Sequence, residues 1–286
     1  MRIGLATYAF PDLSVVDAVK MCLRYSDHVH ISPIYMQVSD EEMAELLVLR
    51  EYFNADFSVH APFPTRGEMA DLGTKRGHEL FKSSIEFASK LESDRIVFHS
   101  SDRDKKRDMI THSRELVEMC DDYCMLACFE NRAEKESHLW DRHDMLGFIN
   151  DVPGSKLCFD TSHYYMWNKS VNSLAETIDA LAEHIGIVHM VDTFQDQDAH
   201  MLPGFGEISL RHLTPSFMKI PDLRNTPFIF EDQEPYEYEK GILNLRHAFV
   251  SMKGMQDRNR NGAKEALAGE GKVDEAMVVR HESQKD

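Results

Sequence analysis

The sequence has no long hydrophobic run. None of its apolar stretches approaches the ~20 residues that a transmembrane helix requires. The first residues, Met1-Arg2-Ile3-Gly4, lack the hydrophobic segment of a signal peptide. We therefore expect a cytoplasmic protein without a membrane partner.

Basic residues are also scarce. The 286-residue chain has 32 Lys and Arg against 49 Asp and Glu, which gives a formal net charge of −17. A large, sequence-independent surface for nucleic-acid phosphates needs clustered Lys and Arg, so this balance argues against one. It does not exclude a local basic patch, because net charge describes the whole surface.

Cysteine is sparse, with five residues in the chain. This number is typical of an intracellular protein with reduced thiols. Three of them, Cys120, Cys124 and Cys128, are four residues apart. We interpret this spacing as small packed side chains rather than a soft-metal site, and expect all five thiols to be structural.

What the sequence does have is a regular alternation of strand and helix patterns. Hydrophobic residues make up 42% and charged residues 28%, which suits a large globular core. Short β-rich runs alternate with segments of amphipathic helical period. The predicted strands are Ile3–Ala9, His28–Ser32, Asp56–His60, Arg95–His99, Leu126–Glu130, Lys156–Asp160, Gly186–Val191 and Pro227–Glu231.

The helical segments follow the strands one by one. Ser39 and Glu42 form the pattern of a capped helix start. Eight strand–helix units predict an α/β fold, a (β/α)₈ TIM barrel, with a doubly wound open sheet as the alternative. The helices are predicted to begin near Val15, Asp40, Thr74, Lys105, Glu136, Val171, Ser209 and Tyr236.

The end of the chain differs from the rest. Residues 1–253 are predicted to form the barrel, whereas residues 254–286 are polar, of mixed charge and poor in large apolar side chains. We expect this C-terminal extension to be a marginal helix or disordered.

Six successive predicted strands, the third to the eighth, end on ionisable residues. In a barrel the C-terminal strand ends surround one mouth, so these side chains should converge. Carboxylates brought together there would repel one another unless a cation neutralised them, which predicts a metal site. The six residues are His60, His99, Glu130, Asp160, His189 and Glu231.

Further candidates lie in the loops. His163 follows Asp160 by three residues, and Asp198 and His200 precede the glycines Gly204 and Gly206, which would let the backbone turn close to the site. The ligand types, imidazole and carboxylate without cysteine, suit zinc, manganese, cobalt or magnesium. The remaining histidines, His28 and His30 among them, are assigned to surface or packing.

With these motifs the chain resembles the xylose isomerase-like TIM barrel superfamily, which includes sugar isomerases and epimerases and the endonuclease IV family of apurinic endonucleases. The resemblance runs from Met1 to about Met252. It rests on Val59-His-Ala-Pro62, Phe98-His99, Phe129-Glu-Asn131, Phe159-Asp-Thr-Ser-His163, Val188-His-Met-Val-Asp192, Asp198 to Ile208, and Phe230-Glu231.

Similarity to the ketose 3-epimerase branch implies one divalent metal ion on Glu130, Asp160, His189 and Glu231. Glu130 and Glu231 would then exchange protons with the substrate through a metal-stabilised enediolate, and His163 would steady a substrate oxygen. On this hypothesis the partner is a small carbohydrate, and the protein is an isomerase or epimerase of a sugar or sugar phosphate.

Similarity to endonuclease IV implies a different chemistry, phosphodiester hydrolysis by three zinc ions, with nucleic acid as the partner. The additional ligands would be His60, His99, His163, Asp198 and His200. Against this alternative, Phe63-Pro-Thr-Arg-Gly67 does not match that family's DNA-reading loop. Against the ketose branch, Gln195 stands where an arginine is usual.

We favour the sugar enzyme, since Pro203 to Ile208 is similar to a loop of many sugar isomerase-like members. Barrels of this type often pair, so the resemblance also allows a homo-oligomer. The substrate-binding candidates are Phe63, Asp192, Gly204 and Gly206.

Overall fold

The eight strands close into a parallel barrel in chain order, and the last strand pairs with the first. A computed structural model describes residues 1–32, 38–62, 71–194, 199–231 and 237–252. The closed sheet confirms the predicted TIM barrel and rules out the open doubly wound sheet, which would keep two edge strands.

Each strand is short and almost entirely buried, as expected for strands covered by helices on one side and by the barrel interior on the other. Four strands have the predicted bounds. The first ends earlier than predicted, because Thr7–Ala9 forms a turn of 3₁₀ helix. The strands are β1 (Arg2–Ala6), β2 (His28–Ile31), β3 (Asp56–His60), β4 (Arg95–His99), β5 (Leu126–Glu130), β6 (Lys156–Asp160), β7 (Ile185–His189) and β8 (Pro227–Phe230).

Helices α1 to α8 surround the barrel, and the capping box predicted at Ser39 is present. The Ser39 hydroxyl accepts the backbone N–H of Glu42 at 3.1 Å, and the Glu42 carboxylate accepts the N–H of Ser39 at 2.9 Å. The helices are α1 (Val15–Cys22), α2 (Asp40–Phe53), α3 (Lys75–Lys90), α4 (Lys106–Asp122), α5 (Arg142–Asp151), α6 (Thr161–Asn168), α7 (Val171–Leu181) and α8 (Leu210–Phe217).

Two helices differ from the prediction. Helix α5 begins at Arg142 rather than near Glu136, because the Glu136 carbonyl accepts the N–H of Arg103 and this segment pairs with the β4 loop. Helix α6 was not predicted. It follows β6 directly, and the Asp160 carboxylate caps it by accepting the N–H of His163 at 2.7 Å.

An apolar layer fills the interior of the barrel. It consists of one inward-facing residue from each of six strands. Burial raises the pKa of Cys128 to about 12 and that of Cys158 well above its ordinary value, so both thiols stay protonated, as expected for packing residues. The layer is Ala6, Val97, Cys128, Cys158, Ile187 and Ile229.

The chain divides into two compact units, Met1–Leu245 and Arg246–Asp286. The first contains the barrel. Of the second, residues 246–252 are described and are helical. The predicted extension, residues 254–286, lies outside the described residues. Within the described part of the chain, every helix is too short or too polar to cross a bilayer.

Candidate metal and catalytic site

The ionisable strand ends stand directly above the apolar layer. Because side chains alternate along a strand, the residue two positions after a layer residue faces the same interior, one step closer to the C-terminal mouth. The layer residues Val97, Cys128, Cys158, Ile187 and Ile229 are followed in this way by His99, Glu130, Asp160, His189 and Glu231. The period of two thus brings five separate sequence positions into one cluster.

Glu130 lies at the centre of the cluster, and its two carboxylate oxygens face different partners. Oε2 lies 3.1 Å from Nε2 of His60 and 2.8 Å from Nε2 of His99. Oε1 lies 2.9 Å from Nδ1 of His189 and 3.6 Å from Nδ1 of His163. Glu130 is therefore shared by two groups of potential ligands.

The second of these groups contains the four residues proposed to hold one metal ion. Glu130, Asp160, His189 and Glu231 each offer a ligand atom, and these atoms all lie within 4.8 Å of one another. Nδ1 of His189 is 3.3 Å from Oε2 of Glu231. Three carboxylates and an imidazole, drawn from four different strand ends, thus converge in a buried space.

The charges in this space depend strongly on one another. Burial alone would raise the pKa of Glu130, but His189 and His99 hold it well below its usual value. Burial raises the pKa of Asp160, and the nearby Glu130 charge adds to the effect. Burial would lower the pKa of His189, yet Glu231 and Glu130 raise it to about 9. The carboxylates therefore require positive charge at this point, from a proton on His189 or from another cation.

These residues fit a divalent cation. Oδ1 of Asp160 accepts the N–H of His163 and the hydroxyl of Ser162, whereas Oδ2 is buried without a hydrogen-bond partner among the described residues. An orphaned carboxylate oxygen is costly to bury, and a cation beside Glu130 and Glu231 would satisfy it. The donor set, three oxygens and one imidazole nitrogen, matches the ions inferred from the sequence.

Backbone carbonyls orient three further candidate ligands. Nδ1 of His60 donates to the carbonyl of Ala61 at 2.6 Å, and Nδ1 of His163 donates to the carbonyl of Asn131 at 2.9 Å. Nδ1 of His200 likewise donates to the Glu231 carbonyl at 3.1 Å. Because a carbonyl only accepts, each neutral ring keeps its proton on Nδ1 and presents a lone pair at Nε2, the state required of a ligand.

The other predicted site residues have different placements. Asp192 is fully buried, and its carboxylate accepts the N–H groups of Gly204, Gly206 and Ile208 at 2.9 Å each. It holds the loop after β7, and a Cβ at Gly206 would overlap this carboxylate. Phe63 and Asp198 lie outside the described residues.

A cavity of about 290 Å³ opens above the cluster. Asp160 and His189 lie deeper, with 0% exposure, whereas Glu130 and Glu231 reach the cavity from β5 and from the end of β8. The described residues that line it are Ala6, Tyr8, His30, Ser32, His60, His99, Glu130, Arg132, Ala133, Glu134, His163, His200 and Glu231.

The sequence analysis assigned His30 to surface or packing, and the structure adds a position at the cavity. His30 lies on β2, is fully buried, and lines the cavity beside Glu231. The sequence contained a signal for this position, since His28 and His30 alternate with apolar residues in a short strand and so share one face. Tyr8, Arg132 and Glu134 also line the cavity without having been predicted.

Comparison with known proteins agrees with this geometry. A family model described as xylose isomerase-like TIM barrel matches residues 16–248. No curated protein sequence matches the chain.

Solved structures share the fold at low sequence identity. A D-tagatose 3-epimerase-like protein has a TM-score of 0.76 at 18% identity, covering 89% of this chain and 99% of that one. The D-psicose 3-epimerase of Clostridium cellulolyticum H10, solved with D-tagatose, has a TM-score of 0.71 at 14% identity, covering 87% and 99%.

A xylose isomerase domain protein from Planctomyces limnophilus has a TM-score of 0.70 at 13% identity, covering 88% and 98%. The family model spans most of the sequence, and the closed barrel carries its ionisable residues at the strand ends. The chain belongs to the xylose isomerase-like TIM barrel family.

Proposed function

We propose that this protein is a divalent-metal-dependent epimerase or isomerase of a ketose or a related sugar. The observation that carries the proposal is the convergence of two glutamates from opposite parts of the barrel. Oε1 of Glu130 and Oε2 of Glu231 lie 2.9 and 3.3 Å from the same nitrogen, Nδ1 of His189. Both carboxylates also border the cavity that would receive a substrate.

Glu130, Asp160, His189 and Glu231 would hold the ion. When bound, a divalent cation polarises a substrate carbonyl and increases the acidity of the neighbouring C–H bond. The buried position of these side chains excludes bulk water, which strengthens each electrostatic interaction in the site.

The two glutamates would carry the proton. One carboxylate takes the proton from the carbon next to the carbonyl, and the other returns a proton to the opposite face of that carbon. In the reverse direction the two roles exchange. His163, whose Nδ1 proton is bound by the Asn131 carbonyl, presents a lone pair that can accept a hydrogen bond from a substrate hydroxyl.

The structural neighbours support this choice of substrate class. One of the proteins compared above is named as a D-psicose 3-epimerase, and another is named as similar to D-tagatose 3-epimerase. Both sugars are ketohexoses. The cavity of this protein lies at the C-terminal mouth of its barrel, the usual location of active sites in this fold.

Solvent proton exchange tests the proposal. Wild-type protein loaded with Mg²⁺, Mn²⁺ or Co²⁺ is incubated with D-fructose or D-tagatose in D₂O, quenched with a chelator, and the sugars are analysed by mass spectrometry. We expect one deuterium on the carbon beside the carbonyl and a second epimer. Glu231→Gln should abolish formation of the second epimer, because one face then lacks its proton carrier.

Glu118→Gln, an exposed glutamate on α4, is the matched control and should retain full exchange. If no ketose or ketose phosphate exchanges a proton with any of the ions, the proposal is wrong.

A second candidate function is phosphodiester hydrolysis by a multinuclear zinc site. One observation favours it. His60, His163 and His200 each donate an Nδ1 proton to a backbone carbonyl and so present a lone pair at Nε2. The Glu130 carboxylate is already shared by two groups of potential ligands. Metal content per chain separates the two functions. About one ion supports the sugar enzyme, whereas three zinc ions together with cleavage of an abasic-site duplex would reverse the ranking.

A further inference from the structure

His30 occupies a position in the cavity that the proposed metal site does not use. Its side chain is fully buried, yet it lines the cavity, and its Nε2 has no hydrogen-bond partner among the described residues. The same nitrogen lies 4.0 Å from Oε1 of Glu231, beyond hydrogen-bond distance. A buried polar atom without a partner, on a side chain that lines a cavity, is explained by a contact with a molecule that enters the cavity.

The residues behind His30 are polar where the rest of the barrel is apolar. The position two residues before His30 is His28, and the position two residues before His60 is Ser58. On the other six strands the comparable interior residues form the apolar layer. Two fully buried polar side chains in this layer are costly unless they are hydrogen-bonded, and they bind one another.

The three polar residues form a chain of hydrogen bonds. Oγ of Ser58 lies 2.8 Å from Nε2 of His28 and 2.7 Å from Nδ1 of His30. Ser58 is the residue of β3 that pairs with His30 of β2, so the strand register sets this geometry. A hydroxyl has one proton, so it donates to one imidazole and accepts from the other.

The far side of His28 determines the direction of the chain. Nδ1 of His28 is buried without a partner among the described residues. If Ser58 donated to His28, the proton of a neutral His28 would lie on this orphaned Nδ1, and buried N–H groups without partners are rare. The opposite direction moves the unpartnered N–H to Nε2 of His30, which lies 4.0 Å from the carboxylate of Glu231 on a side chain that lines the cavity. His28 therefore donates to Ser58, and Ser58 donates to Nδ1 of His30.

We propose that the His28–Ser58–His30 chain fixes the protonation of His30 so that its Nε2–H points into the cavity as a hydrogen-bond donor for a substrate oxygen. This inference rests on the proposed sugar chemistry for the identity of the substrate. Ser58 and His28 are positioning residues.

This donor distinguishes His30 from the histidines held by carbonyls. His60, His163 and His200 present lone pairs and suit metal binding, whereas His30 presents a proton. His30, His189 and Glu231 have ligand atoms within 4.8 Å, but a metal ion on His30 would need the nitrogen that the chain protonates. His30 is therefore assigned to the substrate rather than to a metal.

A donor beside Glu231 has a defined use in the proposed reaction. When a glutamate removes the proton next to the substrate carbonyl, the carbonyl oxygen gains negative charge. A preoriented N–H at that oxygen stabilises the charge without having to reorganise. Its proximity to Glu231 places Nε2 of His30 within reach of an oxygen on the carbon that Glu231 faces.

The protonation of His30 can be observed directly by NMR of the Zn²⁺-loaded full chain with ¹⁵N-labelled histidine. The His30 signals are assigned by their loss in His30→Gln. We expect a protonated Nε2 with Nδ1 unprotonated. We also expect that Ser58→Ala, but not Ser84→Ala, a fully buried serine on α3, changes this pattern. A proton on Nδ1, in either a neutral or a doubly protonated ring, would overturn the proposal.

Metal content and kinetics complete the test. His30→Leu should keep the metal content of wild type while lowering kcat/KM for the exchanged ketose by roughly tenfold, the effect of losing one hydrogen bond. His30→Gln should restore most of this loss, since its amide N–H lies near the position of Nε2. His78→Leu, a buried histidine on α3, serves as the control.

Loss of an ion from His30→Leu, or unchanged kcat/KM, would contradict the assignment of His30 to the substrate. If wild type exchanges no ketose proton, the proposed function fails. The NMR result then still decides whether the Nε2–H donor exists.

Discussion

Strands β5 to β8 and strands β2 and β3 support the same cavity in two different ways. On β5 to β8, an apolar residue lies two positions before each ionisable residue, and the ionisable residues hold one another in a charged cluster. On β2 and β3, polar residues lie beneath His30 and His60, and hydrogen bonds join His28, Ser58 and His30.

The two regions therefore stabilise buried polar side chains in two different ways. In the proposed function, the charged cluster would gain stability from a cation that several carboxylates share, above the tightly packed apolar layer. The neutral chain needs no ion, but it needs a hydroxyl and two imidazoles in fixed orientations. Substitutions in the two regions should therefore be detected by different measurements.

The largest expected effect comes from breaking the apolar layer under the charged cluster. Ile229→Ala removes a fully buried side chain two residues before Glu231 and should lower the free energy of unfolding by about 2–5 kcal/mol. Urea denaturation measures this loss. The exposed Leu243→Ala is the control and should change stability little. A loss below about 1 kcal/mol would mean that the layer is not tightly packed.

A somewhat smaller effect is expected when the charged cluster itself is broken. An ion at 100 times its Kd should stabilise wild type by about 2.7 kcal/mol. Asp160→Asn should remove most of this gain, because the orphaned carboxylate oxygen is lost. Thermal unfolding with and without Zn²⁺ or Mn²⁺ measures it, with the exposed Asp108→Asn on α4 as control. Equal stabilisation of both variants would place the ion elsewhere.

A third effect distinguishes the neutral chain by its response to acid. Burial, with a contribution from Arg95, lowers the pKa of His28 from 6.5 to about 3. Between these values an unfolded His28 binds a proton and a folded one does not. Stability should therefore fall as the pH drops through this window, by up to about 1.4 kcal/mol per pH unit for this residue.

His28→Gln cannot titrate, so its unfolding free energy should depend less steeply on pH than that of wild type between pH 6.5 and 3. Above pH 6.5 the two slopes should coincide. Denaturant unfolding at a series of pH values gives both slopes, and identical slopes throughout would show that His28 is protonated in the folded barrel.

The sequence was sufficient for the barrel and for the residues of the charged cluster. Each of the later strands is an apolar run that ends abruptly on a carboxylate or an imidazole, and the fold brings such ends together. His30 could not be recognised in the same way, because β2 alternates histidine with apolar residues and has no apolar run before it. Its role depends on Ser58, a contact that only the strand register shows.

The contacts made by the loops also could not be predicted from the sequence. Asp192 was expected to bind substrate, but its carboxylate instead collects backbone N–H groups of its own loop, including those of Gly204 and Gly206. Similarly, the start of α5 depends on a pairing with the β4 loop that no local pattern shows. In both cases tertiary hydrogen bonds decide the outcome.

The carboxylate of Glu130 has a consequence for how enzymes on this barrel diverge. One oxygen faces His60 and His99, and the other faces His189 and the remaining cluster. Substitutions around the first oxygen can add or remove an ion without disturbing the ligands of the second. In the proposed function, a substitution at His60 or His99 would therefore change the number of bound ions, while Glu130 and Glu231 keep their places in the other group of ligands.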